Sequence, residues 1–123
     1  MAILVPVSLG ELVDKITILQ IKSERIKNLD SLKNIEKELS ALRRVRIPDV
    51  DPKLYDELKD INEQIWEIED DIRQCELDKD FGRCFIGMAR TVHMSNEKRA
   101  DIKKTINLKY NSEFKEEKSY GYK

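Results

Sequence analysis

From Leu54 to Cys75 the apolar residues fall at Leu54, Leu58, Ile61, Ile65, Ile68, Ile72 and Cys75. Only a helix gathers this 4-3-4-3 spacing into one stripe, and such a stripe must lie along another helix. A shorter run with the same spacing, Leu32, Ile35, Leu39 and Leu42, offers a partner. Between the two runs stands Ile47-Pro48-Asp49-Val50-Asp51-Pro52. Pro48 disfavours helix at Ile47, while Asp51 with Pro52 reads as an N-cap followed by proline at the first helical position. The spacing therefore predicts an antiparallel, coiled-coil-like hairpin with arms near residues 31–46 and 52–78. At 1.5 Å per residue the second arm is roughly 40 Å long and outruns the first. Its far half is expected to pack on the first helix of the chain.

The rest of the chain supports an all-α fold. Charged residues make up 38% of the 123 positions against 7% aromatic, a composition suited to helices with solvated faces rather than to a sandwich or barrel. This length is one domain's worth, with a core thin enough for oligomerisation to help. Met1 to Val7 is apolar but lacks a basic leader, and nowhere do eighteen apolar residues run together, so a soluble, cytoplasmic protein without a membrane span is expected. Residues 1–7 read as an extended arm. Ser8-Leu9-Gly10-Glu11 reads as a capping box. It opens a first helix over 8–46, kinked near 29–31, where Asp30 and Ser31 offer a fresh cap. A second helix is expected over 52–78 and C-terminal helices over 83–109, with Ser95 or Asn96 capping the last. Residues 110–123 form a polar tail, ordered only if something holds it.

Charge is segregated along the chain. The net value of -1 conceals sums of +2 over residues 1–50, -8 over 51–80 and +5 over 81–123. The acidic middle and the basic end are expected to attract each other within the fold or between subunits, in preference to the basic end serving nucleic acid. Cys75 and Cys84 sit in no CxxC pattern, so neither a disulfide framework nor a zinc site is expected.

The opening PVSLGELVDKITILQIKSERI, with KRADIKKTIN and EEKSY near the other end, resembles an uncharacterised family of small bacterial helical proteins. That family has a PVS-x-GEL-x-DK-x-TIL start and an EEKSY-type end. The resemblance implies that Gly10, Glu11, Asp14, Lys15, Lys22, Arg25, Arg99, Lys103 and Asn107 belong to a shared pattern. It brings no reaction with it.

On the first helix Glu11, Lys15, Lys22 and Arg25 fall on one stripe, with Ile18 at its centre and Ile21 at its edge. A charged stripe with branched aliphatics inside it should be partly covered. It yields two expectations: an anion-binding site of Lys15, Lys22 and Arg25, on which Arg90, His93, Arg99 and Lys103 converge, or ordinary ion pairs with Ile18 and Ile21 buried in a dimer. Trp66, off the hairpin seam, is a further interface candidate. Glu63, Glu67 and Asp70 form a ladder of the kind that binds magnesium in helical nucleotide pyrophosphohydrolases, yet they take outward positions, whereas a metal site inside a bundle needs inward ones. No metal or cofactor is therefore expected. His93, the only histidine, follows no nucleophile. The chain reads as a dimeric binding or interaction module for a small anion or a protein partner, rather than an enzyme. The alternatives are a metal-free helical enzyme of the chorismate-mutase type, in which positioned cations stabilise a polarised transition state, or a magnesium-dependent nucleotide pyrophosphohydrolase.

Overall fold

The computed structural model describes residues 1–118, which form four α-helices: α1 (Leu9–Arg25), α2 (Leu29–Arg43), α3 (Pro52–Asp78) and α4 (Arg83–Lys109). The caps follow from local chemistry. The Ser8 hydroxyl accepts from the Glu11 N–H, Asn28 accepts from Ser31, and Asp51 accepts from Lys53 ahead of Pro52. α3 ends with Lys79 in the left-handed region, φ 55°, where the Asp80 N–H donates to the Cys75 carbonyl at 2.9 Å.

The expected first helix over 8–46 is two helices rather than one with a kink. Ile26 leaves α1 in extended geometry and Asn28 caps α2 after only three linking residues, so the chain reverses and α2 lies back along α1. Lys15 meets Glu38 across this pair. Leu12, Ile16 and Leu19 of α1 close on Ile35 and Leu39 of α2.

A long antiparallel hairpin is present, but its arms are α3 and α4. α2 packs on α1 and forms no helix pair with α3. Asp51 faces Lys109 and Tyr110, Asn62 faces Arg99, and a short link at residues 79–82 joins the arms, a constant register over both 27-residue helices. The acidic α3 thus meets the basic α4 within one chain. α4 is one helix, not several. Ser95 is buried in its middle instead of capping a new one, because its stripe Met88, Val92, Ser95, Ile102 and Ile106 keeps helical spacing throughout.

Among the four helices of the described residues, α1 alone touches all the others. Its Val13 side enters a core of Leu58, Ile61, Ile65, Ile102 and Ile106, and its opposite side holds α2. The far half of α3 meets α1 where Arg25 pairs with Glu67, but the buried residues of α3 stop at Ile65. Ile68, Ile72 and Cys75 are half-buried, so the hairpin ends as a thinly packed stem. Residues 1–7 precede α1 outside any helix, and their Ile3, Leu4 and Val5 are exposed. No helix among the described residues is long and apolar enough to cross a membrane.

Candidate functional site

Where α1 crosses the α3–α4 pair, the packing layer is polar. It begins at Gly10. A Cβ there would lie 2.7 Å from the Lys103 carbonyl oxygen, so only glycine lets α1 press this closely on the α4 backbone. The first amides of α1, which have no partner inside the helix, are satisfied from elsewhere. Leu9 N–H donates to the Ser112 hydroxyl at 3.1 Å, Gly10 N–H to Asn107 Oδ1 at 2.7 Å and Glu11 N–H to the Ser8 hydroxyl at 3.0 Å. The capping box is half made, since the Glu11 carboxylate turns to Lys103.

Lys103, 14% exposed at its side chain, sets its ammonium 2.6 Å from Glu11, 3.0 Å from Glu116 and 3.8 Å from Asp14. Burial alone would push its pKa down, but the hydrogen bonds it donates to Glu11 and Glu116 and the charge of Asp14 outweigh it and hold the lysine above its ordinary value. Glu116 also accepts from the Ser8 hydroxyl. Burial would raise its pKa, and the bonds from Ser8 and Lys103 bring it below the usual carboxylate value instead. The tail is therefore anchored at Ser112 and Glu116. The Ser119–Tyr120 end of the EEKSY segment lies outside the described residues.

The network continues through Asn62, which is 5% exposed. Its amide donates to Asp14 Oδ1 at 2.8 Å and to the Thr17 hydroxyl at 2.9 Å, while its Oδ1 accepts from Arg99 Nη1 at 3.1 Å. Asn96 Oδ1 accepts from the other arm, Arg99 Nη2, at 2.7 Å. Two neutral amides thus orient the half-buried guanidinium, and no carboxylate of the described residues lies within 4.0 Å of it.

The expected basic site is divided by this arrangement. Arg99 and Lys103 come together on successive turns of α4, around Asn62 and Asp14. Lys15 is exposed and pairs with Glu38 at 3.3 Å. Arg25 reaches across to Glu67 at 3.0 Å and Glu63 at 3.8 Å. Lys22 is half-buried, with no carboxylate of the described residues within 4.0 Å. The acidic ladder is likewise engaged, Glu63 and Glu67 by Arg25, and Asp70 by Arg73 at 2.6 Å. Ile21 is 1% exposed under its own chain and has no surface to give a partner, whereas Ile18 and Trp66 are half-buried. His93 is mostly exposed and lies 3.5 Å from Glu97.

Asn62, Asn96 and Glu116 were not expected at the site. The one signal for Asn62 is a neutral amide directly beside the apolar seam of an otherwise charged helix. No curated protein and no solved structure matches the chain. The family of unknown function DUF6165 matches residues 3–123, the α3–α4 hairpin and both ends included, and the chain belongs to that family.

Proposed function

We propose that the protein is a binding module whose ligand is a small anion, contacted by Arg99 and drawn also to Lys22. The observation that carries this reading is the guanidinium of Arg99. A half-buried cation is normally paired with a carboxylate; here two side-chain amides fix its plane and leave its charge uncompensated, the state of a group that receives a carboxylate or phosphate in bidentate fashion. Lys103 supports the site by holding α1 to α4 rather than by taking ligand, since its ammonium already serves three carboxylates. Lys15 and Arg25, whose charges are paired, act at most through the field around the site.

Thermal unfolding against carboxylates, phosphates, nucleotides and nucleotide sugars, each with and without magnesium, tests the proposal. A ligand at about 100 times its dissociation constant adds about 2.7 kcal/mol, which moves the midpoint of a chain this size by several degrees. The expected result is a selective, magnesium-independent shift that Arg99→Gln abolishes, Arg99→Lys retains in part and Lys22→Gln weakens. A flat panel overturns the proposal. A shift that requires magnesium would replace it with the pyrophosphohydrolase reading.

A further inference from the structure

The link between α2 and α3 passes from one core to the other and leaves a cavity of about 500 Å³ beneath it. Ile16 of α1, Tyr55 of α3 and the end of α2 with its link wall this space. Leu42 and Ile47 pack with Tyr55 on the α1–α2 core, and Val50 packs on the other core. The Asp51 N–H donates to the Tyr110 hydroxyl at 2.6 Å, and the Tyr55 hydroxyl donates to Gln20 Oε1. Ile16, Leu42, Ile47 and the Tyr55 ring thus make an apolar floor held by both cores. Sites for small molecules have this character: they lie where elements meet, enclose about 300–1,000 Å³ and are mostly apolar with a few polar groups at set places.

The rim supplies those groups. Arg43, Arg44 and Arg46 stand together on the end of α2 and the link, against one acid of the link, Asp49. Arg44 turns back on its own helix, its Nε donating to the Ser40 carbonyl at 3.2 Å. Arg43 and Arg46 line the cavity, both exposed, and neither has a carboxylate of the described residues within 4.0 Å. Arg25 and Arg73, by contrast, each take one. Two guanidinium groups at one opening repel each other, and an anion between them relieves that repulsion while accepting charge-assisted hydrogen bonds from both. An inorganic anion would leave the apolar floor bare, and a neutral apolar molecule would leave the arginines unmatched. One ligand that carries both an apolar body and a negative charge satisfies floor and rim together.

We infer that the cavity under the α2–α3 link binds an organic anion, its ring or chain against Ile16, Leu42, Ile47 and Tyr55 and its charged head between Arg43 and Arg46. The cavity opens on the α2 side of α1, whereas Arg99 is held where α1 meets α3 and α4. The inference therefore goes beyond the Arg99 reading and does not rest on it.

The test titrates the full chain with anilinonaphthalene sulfonate, an aromatic anion whose fluorescence reports apolar surroundings, and with phenylnaphthylamine, the same ring system without the charge. The expected result is one sulfonate bound per chain, at least tenfold more tightly than the neutral amine. The double variant Arg43→Gln, Arg46→Gln lowers the affinity for the sulfonate at least tenfold and leaves that for the amine within twofold. Arg99→Gln and Arg90→Gln, the latter on the exposed face of α4, leave both unchanged. Intermolecular NOEs join the ring protons to the methyls of Ile16, Leu42 and Ile47. Decanoate displaces the sulfonate and decanol does not. Arg43 and Arg46 are outside the core, and circular dichroism checks that the variants keep the helices. Absent or unsaturable binding of the sulfonate overturns the inference, as does binding no tighter than that of the amine. So does binding that the double variant leaves unchanged, or NOEs that go to Ile86 of α4 instead.

Discussion

Gly10→Ala separates what helix propensity predicts from what the packing predicts, because the two have opposite signs. Alanine favours a helix interior over glycine by about 1 kcal/mol, so a reading of α1 by itself expects stabilisation. In the folded chain the new methyl would sit 2.7 Å from the Lys103 carbonyl oxygen and 3.0 Å from Asn107 Oδ1, where ordinary contact begins at 3.4 Å. The first obstacle is helix backbone and cannot rotate away. α1 would have to withdraw from α4 by about 0.7 Å, an overpacking cost of about 1–3 kcal/mol. The same movement stretches the 2.7 Å bond from Gly10 N–H to Asn107, and an unsatisfied buried pair costs a further ~1–3 kcal/mol. After the propensity gain the net is a loss of about 1–5 kcal/mol, or a midpoint lower by about 4–20 °C for a domain of this size. Gly87→Ala is the control. It lies inside α4 with nothing within 4 Å of its added Cβ, so it should gain up to about 1 kcal/mol. Calorimetric unfolding of both variants beside the natural chain measures the difference. If Gly10→Ala rises as Gly87→Ala does, α1 does not press on α4 at this point and the polar layer is not built as described.

Asn62→Leu should destabilise by about 2–4 kcal/mol, read as a lower urea midpoint at unchanged slope, because it leaves the Asp14 carboxylate buried without its amide donor and frees one arm of Arg99. The acid limb of the stability curve should depend on Glu116. Its pKa is lowered in the folded state from 4.5, so its contribution is complete above that pH and is lost as pH falls through the folded value. Urea unfolding from pH 6 downward should show Glu116→Gln losing less stability below about pH 4.5 than the natural chain does. Equal losses would show that Lys103 and Ser8 do not hold this carboxylate.

The anion reading and these stability effects rest on different parts of the sequence. Gly10, Glu11, Asp14, Arg99, Lys103 and Asn107 were visible as a shared pattern at the two ends of the chain, and the structure joins those ends, Gly10 to Asn107 and Glu11 to Lys103. Asn62, Asn96 and Glu116 were not. A side-chain amide carries no periodicity of its own, and its role appears only when three helices meet around it. The basic residues of α1 differ in what their neighbours give them. Arg25 found acids on α3 and Lys15 one on α2, while Arg99 met only amides.

The sequence by itself determined the helical class, the break before Asp51-Pro52, the span of α3, and the residues at which the last helical stretch begins and ends. These depend on local forces: apolar spacing, caps and the backbone restrictions of proline act within a few residues. It could not determine which apolar face meets which. Leu32, Ile35, Leu39 and Leu42 would satisfy any complementary stripe, and the three-residue link at 26–28 turns them back onto α1. The same holds for α4, where Gly87 and Ser95 look like breaks until the α3 seam shows one continuous face. Hydrophobic burial is non-directional, so partner choice is settled by chain reversal and by long-range polar pairs, and those exist only in the tertiary structure.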